Sequence, residues 1–185
     1  MTMPALSFLW ERKDTPGLDA CRLELSATGA RLKGNAVFLH EGLPAALNYE
    51  VVMDADGATQ SATIEGFIGD DAVSHTIRRA ASGWMHNGKP VPSCRGLDSL
   101  DLSFTPATNF CQFHALKNAG GETVELTSAW FDLATRSLKP LPQNFTRIGE
   151  TSFQYAAPSQ GYADVLEFDT GGMIARYPGL WDRAA

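Results

Sequence analysis

What most constrains this chain is its turn punctuation. Asp56-Gly57, Asn87-Gly88, Gly120-Gly121 and Gly171-Gly172 each fall between short strand-like runs, and Thr28-Gly29 reads as a fifth turn. Such pairs reach the positive φ angles that two-residue hairpin loops demand, because Gly lacks a Cβ and Asn and Asp tolerate the left-handed region. Between the turns, side chains alternate with a period of two. Cys21, Leu23 and Leu25 share one parity and Arg22, Glu24 and Ser26 the other; Val124, Leu126 and Trp130 oppose Glu125, Thr127 and Phe131. No segment keeps an apolar i, i+3, i+4, i+7 pattern over several turns, so helices should be few and short. Roughly a dozen strands at the ~8–12-residue spacing of barrels and sandwiches predict a mainly β fold, an antiparallel curved sheet or open barrel.

The two halves of the chain look alike. Leu23-Glu-Leu-Ser precedes Tyr49-Glu-Val-Val-Met-Asp54-x-x-Gly57, and Val124-Glu-Leu-Thr precedes Tyr162-Ala-Asp-Val-Leu-Glu-Phe-Asp169-x-x-Gly172. In both, a strand–Asp-x-x-Gly–strand hairpin follows a β-rich segment. Either hairpins simply reuse the same few residues, or the single domain holds two similar β units, about 1–90 and 91–185, joined near Gly88–Cys94.

A chain of 185 residues can bury a sizeable core. Its net charge of −6, with Arg12-Lys13 and Arg78-Arg79 as the adjacent basic pairs, argues against a nucleic-acid partner, which needs a basic surface. The first residues lack a basic stretch followed by a long apolar run, so no signal peptide is expected. No window approaches about 18 consecutive apolar residues, so no transmembrane segment is expected either. Cys21, Cys94 and Cys111 are odd in number and widely spaced, which fits neither a disulfide framework nor a zinc site and points to a reducing cytoplasm.

The segment Gly83–Asn109 is the densest in residues with specific chemistry. Asp98 and Asp101 are candidate acid and base, since paired carboxylates divide those roles when their environments push the pKa values apart. Three residues apart on a strand they face opposite ways, which favours a structural role: Asp98 ending the turn after Gly96, and Asp101 binding the corner Thr105-Pro106-x-Thr108-Asn109. His40, His75, His86 and His114 form no metal-binding spacing, so no metal is expected; His75 and His114 lie in strand-like runs that could meet across a sheet. Arg95 next to Cys94 could lower its thiol pKa, but no histidine is locally placed to pair with it. Nucleophile elbows and phosphate loops are absent, and no cofactor is expected.

Aromatic residues give a stronger lead. Trp10, Trp84, Trp130 and Trp181, with Phe104, Phe110, Phe113, Phe131, Phe145, Phe153, Tyr155 and Tyr177, either fill a core or line the concavity of a curled sheet. Near the end of the chain, Tyr177-Pro178-Gly179 should turn Leu180 and Trp181 back onto the body. Arg176 and Arg183 would then meet a carboxylate, Asp98 or Asp101, or a ligand's anionic head.

Four segments carry a resemblance. They are Gly83-Trp84-x-x-Asn87-Gly88, Gly96-Leu97-Asp98-x-x-Asp101-Leu102-x-Phe104-Thr105-Pro106-x-Thr108-Asn109, Leu141-Pro142-Gln143-x-Phe145-Thr146-Arg147, and Asp169-x-x-Gly172-x-x-x-x-Tyr177-Pro178-Gly179-Leu180-Trp181-x-Arg183. Together they resemble the bacterial putative glycolipid-binding protein family, a domain of unknown function. The likeness spans most of the chain from about Trp10, in pattern mainly over the N-terminal third. The chain departs from it at Phe110-Cys-Gln-Phe-His-Ala-Leu116, where an apolar–basic run is expected; this counts against an anion-contacting role for that strand. The resemblance implies an antiparallel β fold and an amphipathic ligand, and it supplies no catalytic residues.

The leading expectation is non-catalytic binding of a lipid-like or other amphipathic small molecule in an aromatic-lined concavity of about 300 Å³ or more. Trp84, Trp130 and nearby Phe side chains would meet the apolar part, and Arg79, Arg95 or Arg176, beside Tyr177, the polar head. The alternative is an enzyme using Asp98 or Asp101 as acid or base in the same cleft. A third class, an interaction module, would show an exposed apolar patch instead.

Overall fold

The computed structural model describes residues 5–118 and 123–185. The first meander runs β1 (Ala5–Arg12), β2 (Gly17–Ser26), β3 (Gly29–His40), β4 (Leu43–Asp54), β5 (Thr59–Ile68), β6 (Asp71–Ala80), β7 (Gly83–His86) and β8 (Lys89–Val91). A 3₁₀ turn, β9 (Leu100–Leu102) and α1 (Asn109–Asn118) follow. The second meander is β10 (Thr123–Asp132), β11 (Ser137–Arg147), β12 (Ser152–Ala157), β13 (Tyr162–Phe168), β14 (Ile174–Tyr177) and β15 (Trp181–Arg183).

All fifteen strands form one sheet, ordered β8-β7-β6-β5-β4-β3-β2-β1-β15-β14-β13-β12-β11-β10-β9. Neighbours are antiparallel except β9 and β10, which are parallel. The meanders join where β1 pairs with β15, Trp10 opposite Arg183. The expected antiparallel curved sheet is therefore present, with fifteen strands among the described residues where the turn spacing suggests about a dozen. Asn87 and Gly88, at φ 47° and 74°, make the two-residue turn between β7 and β8. The expected turn at Gly120-Gly121 lies outside the described residues.

The Asp-x-x-Gly hairpins share three hydrogen bonds. The Asp54 N–H donates to Ala58 O, the Gly57 N–H to Asp54 O, and the Ala58 N–H to Asp54 Oδ1, at 2.9–3.0 Å. Asp169, Gly172 and Met173 make the same three bonds at 2.8–3.0 Å. An arginine from the strand after each hairpin then clasps it. Arg79 reaches Asp54 Oδ2 (3.5 Å) and Thr59 O (2.8 Å); Arg183 reaches Asp169 Oδ2 (2.7 Å) and Ile174 O (2.6 Å). A Cβ at Gly57 would strike His114, and one at Gly172 would strike Phe113, so both turns press on α1.

α1 replaces the strand expected over Phe110–Leu116, and His114 lies on this helix, not on a strand. Phe110, Cys111, Gln112, Phe113 and Leu116 are all buried. A helix enclosed by sheet has little polar face, so its sequence lacks the 3.6-residue periodicity that marks a surface helix.

The ends of the sheet curl into contact. The rings of His75 on β6 and His86 on β7 lie 4.9 and 5.7 Å from that of Phe131 on β10, and Arg136 pairs with Asp71. β10 is thus covered on both faces. Phe131 and Ala129, with their β9 partners Leu102 and Leu100, face the first meander. Trp130 and its partner Asp101 face the second.

Candidate functional site

On that second face lies a cleft of about 240 Å³, lined by Asp101, Leu102, Ser103, Thr105, Asn109, Trp130, Leu141, Tyr155, Ala157, Gln160, Tyr162, Tyr177, Leu180 and Trp181. It is smaller than the expected ~300 Å³, the lower end for small-molecule pockets. A larger groove, about 610 Å³, runs between Arg22, Glu24, Arg31 and Met53 on the outer surface. Its charged residues are paired, Arg22 with Glu24 within the groove and Arg31 with Glu50 outside it, and it has no aromatic lining.

Asp101 is the centre of the cleft's polar floor. It is 8 % exposed and receives Thr108 Oγ1 (3.2 Å) on one oxygen, Gln112 Nε2 (3.0 Å) and Gln143 Nε2 (3.2 Å) on the other. Each donor is itself fixed. Thr108 Oγ1 accepts the Leu102 N–H, Gln112 Oε1 accepts from Asn109 Nδ2, and Gln143 Oε1 accepts from Ser128 Oγ. Gln143 also donates to the Tyr155 hydroxyl at 3.0 Å. The network thus ties α1, β9, β10, β11 and β12 to one carboxylate. Burial pushes the Asp101 pKa above the usual carboxylate range, against the pull of Gln112, Thr108 and Gln143.

The walls are aromatic. Tyr155, Tyr162 and Tyr177 pack on one another with ring centroids 5.1–5.9 Å apart, within the range of favourable edge and offset contacts. The Tyr162 hydroxyl donates to Pro178 O (2.8 Å), and Leu180 N–H to Tyr177 O (2.9 Å), fixing the turn that returns Leu180 and Trp181 to the cleft. Burial, then the charge of Asp101, raises the Tyr155 pKa to about 12.

The corner Thr105–Asn109 builds the remaining side. Thr105 Oγ1 accepts the Ala107 N–H (3.0 Å) and donates to Asp19 Oδ2 (2.5 Å), which also receives the Tyr49 hydroxyl (2.9 Å). Asp19 has no exposed surface, and burial lifts its pKa to about 6 in spite of those two hydroxyls.

Of the residues expected to contact a ligand, Trp130 and Tyr177 line the cleft; the others do not. Trp84 is 1 % exposed and its indole N–H is spent on Leu97 O (2.8 Å), because its hairpin folds onto the core of the first meander. Arg79 is held by Asp98 (2.9 Å) as well as by Asp54. Arg95 and Arg176 are exposed on the surface, Arg176 beside Glu167 and Asp182. Arg183 meets Asp169, not Asp98 or Asp101. The two expected carboxylates do not share a cleft either. Asp98 is exposed on Arg79 and borders a separate depression with Asp54 and Asp56. His75 meets His86, not His114, with Nδ1 and Nε2 2.9 Å apart.

Asp101, Thr105 and Asn109, expected as corner-builders, line the cleft; Thr108 secures Asp101, and Pro106 is buried with them. Sequence reasoning missed Gln112, Gln143 and Tyr162 as site residues. Gln143 stands within the Leu141-Pro142-Gln143 segment, and a buried glutamine in an alternating strand was the available signal.

A search of curated proteins returned no match. Among solved structures, a DUF1089-family protein from Pseudomonas aeruginosa shares the fold at 23% identity and a TM-score of 0.78, over 90% of this chain and 91% of that one. A family model covers nearly the whole chain, residues 7–183, and places the protein in the family described as putative glycolipid-binding.

Proposed function

We propose that the cleft binds the polar headgroup of an amphipathic small molecule such as a glycolipid, without catalysing its conversion. The observation that carries this reading is the pairing of tyrosine and tryptophan faces with a fixed polar floor in one headgroup-sized space. A sugar ring has an apolar C–H face and a rim of hydroxyls. The rings of Tyr155, Tyr162, Tyr177 and Trp130 suit the first, and Asp101, Asn109 and Thr105 suit the second. The family name points to the same ligand class. The tail would leave the cleft and stay outside it, since the volume holds only a head. Titration of octyl glucoside, followed by tryptophan fluorescence and calorimetry below its micelle concentration, tests this. Saturable binding that weakens at least tenfold in Tyr177→Ala supports it; absence of saturable binding refutes it.

One observation favours a second reading, an interaction module. Leu18, Val37, Ala46 and Phe67 stand in register on four adjacent strands of the outer face, with Leu18, Val37 and Phe67 each about half exposed. Such a row marks a contact surface when it is part of a larger apolar patch. Sedimentation of the protein with and without Val37→Lys tests whether the row joins copies.

A further inference from the structure

We infer that the headgroup taken by this cleft carries a positive charge, an amino sugar or other ammonium-bearing head, whose cation pairs with the buried Asp101 carboxylate beside the tyrosine cluster. The inference rests on the reading of the cleft as a headgroup site. Asp101 receives three donors, from Thr108, Gln112 and Gln143, and all three are neutral. No lysine or arginine is among the described residues that line the cleft. The cations that lie over two of the lining rings are held by carboxylates of their own: Lys139, over Trp130, by Asp132 at 2.8 Å, and Arg12, over Trp181, by Asp14 at 2.7 Å. A buried carboxylate without a counter-charge is costly, and an incoming cation removes that cost while anions add to it.

The walls select in the same direction. Tyr155, Tyr162 and Tyr177, packed on one another, line the same cleft, and the negative face of an aromatic ring attracts an ammonium. Their hydroxyls do not compete as anions: burial raises the Tyr177 pKa well above normal and the Tyr155 pKa to about 12. A neutral sugar would use the rings and the hydrogen bonds and leave the charge of Asp101 unanswered. An ammonium group uses all three.

Calorimetry with four short-chain probes below their micelle concentrations decides the matter: octyl glucoside, its 2-amino-2-deoxy counterpart, octyltrimethylammonium and octyl sulfate. The expected result is that both cationic probes bind at least tenfold more tightly than the glucoside and that the sulfate does not bind. Asp101→Asn should erase that preference, bringing the affinities for the amino glucoside and the glucoside together. If that variant fails to fold, Tyr162→Leu, which removes one π face at the rim, should lower affinity for octyltrimethylammonium more than for the glucoside. Equal affinity for the glucoside and the amino glucoside, or binding of the sulfate, overturns the inference and leaves the headgroup reading standing. Failure of every probe overturns both.

Discussion

Asp19 on β2 and Asp101 on β9 are buried carboxylates with no basic partner among the described residues, unlike Asp132, which holds Lys139, and the space around the two could hardly differ more. Asp19 sits in a closed core under Tyr49 and Thr105, near the stacked rings of Phe38 and Phe104. Asp101 opens onto a cleft. The difference traces to strand length. The Asp54 hairpin is followed by β5 and β6 of 10 residues each, whereas after the matching Asp169 hairpin β14 has 4 and β15 has 3. Where the second meander stops short, the wall is left unfinished. The ends of those short strands, with Tyr162 at the start of β13, supply Tyr177, Leu180 and Trp181 to the cleft. We propose that the halves are two copies of one β unit, alike at their Asp-x-x-Gly hairpins and different in the length of the strands that follow.

The largest expected effect lies in the contrast between closed and open cores. Ile64→Ala, at a fully buried position of the first meander, should cost about 2–5 kcal/mol, the transfer and cavity cost of a tightly packed site. Leu141→Ala, on the cleft wall, should cost about 2 kcal/mol or less, because the space it vacates already adjoins solvent. Urea denaturation of both variants measures this. Equal losses would mean that the cleft is packed as tightly as the core, and the contrast would fail.

Asp19 comes next. Its native pKa, about 6, lies above the value of 3.8 for the unfolded chain, so the native state holds a proton that the unfolded state has lost. Its contribution to stability therefore falls as pH rises from 4 to 6. Above that range the ionised, enclosed carboxylate costs about 3 kcal/mol. Asp19→Asn should remove most of this slope and raise the urea midpoint at pH 7 relative to wild type. An unchanged slope would show that Tyr49 and Thr105 already stabilise the anion.

The matched hairpins give a smaller and unequal pair. Asp169→Ala leaves Arg183 without its carboxylate, partly buried against Phe8 and Trp10, and should cost about 2 kcal/mol. Asp54→Ala removes the matching turn bond and a further, exposed one from the Asp56 N–H, but leaves Arg79 its second partner, Asp98, so about 1 kcal/mol is expected. Thermal melts of both variants give the ranking; a reversed order would show that the clasp is not what distinguishes them.

Local chemistry was legible in the sequence and enclosure was not. Asn87-Gly88 and the two Asp-x-x-Gly turns declare themselves because a few adjacent residues fix each one. α1 was hidden because Phe110, Cys111, Gln112, Phe113 and Leu116 are buried around its circumference, which erases the periodic signal. The cleft was hidden for a different reason. Asp101, Gln112, Gln143 and Tyr155 come from four separate elements, and only the curl of the sheet brings them together. Arginines were expected at the ligand because unpaired cations suggest anion binding. Among those named, Arg79 and Arg183 are spent on carboxylates of the hairpins they clasp.

The seam between the meanders should show the smallest effect and one opposite in sign to that of Asp19. Asn87 Oδ1 accepts the Thr76 N–H at 2.8 Å, which turns its amide nitrogen toward His75 Nδ1 at 3.3 Å. That nitrogen must therefore accept, from Asn87 and from His86 Nε2 at 2.9 Å, and His75 carries its proton on Nε2. A proton added at His75 Nδ1 would face two donors. Burial lowers both histidine pKa values, and for His75 the charges of His86 and Arg136 lower it further; Arg136 is itself paired with Asp71. With native pKa values below the ordinary 6.5, the pair contributes stability that is present above pH 6.5 and lost as pH falls through the native values. His86→Phe, which keeps a ring against Phe131, should gain on wild type steadily as pH drops from 7.5 to 5. The two rings are only partly enclosed, so the gain should be smaller than the Asp19 effect. A difference that stays constant with pH would show that the seam is held by ring packing alone, and that its two histidines do not sense protons.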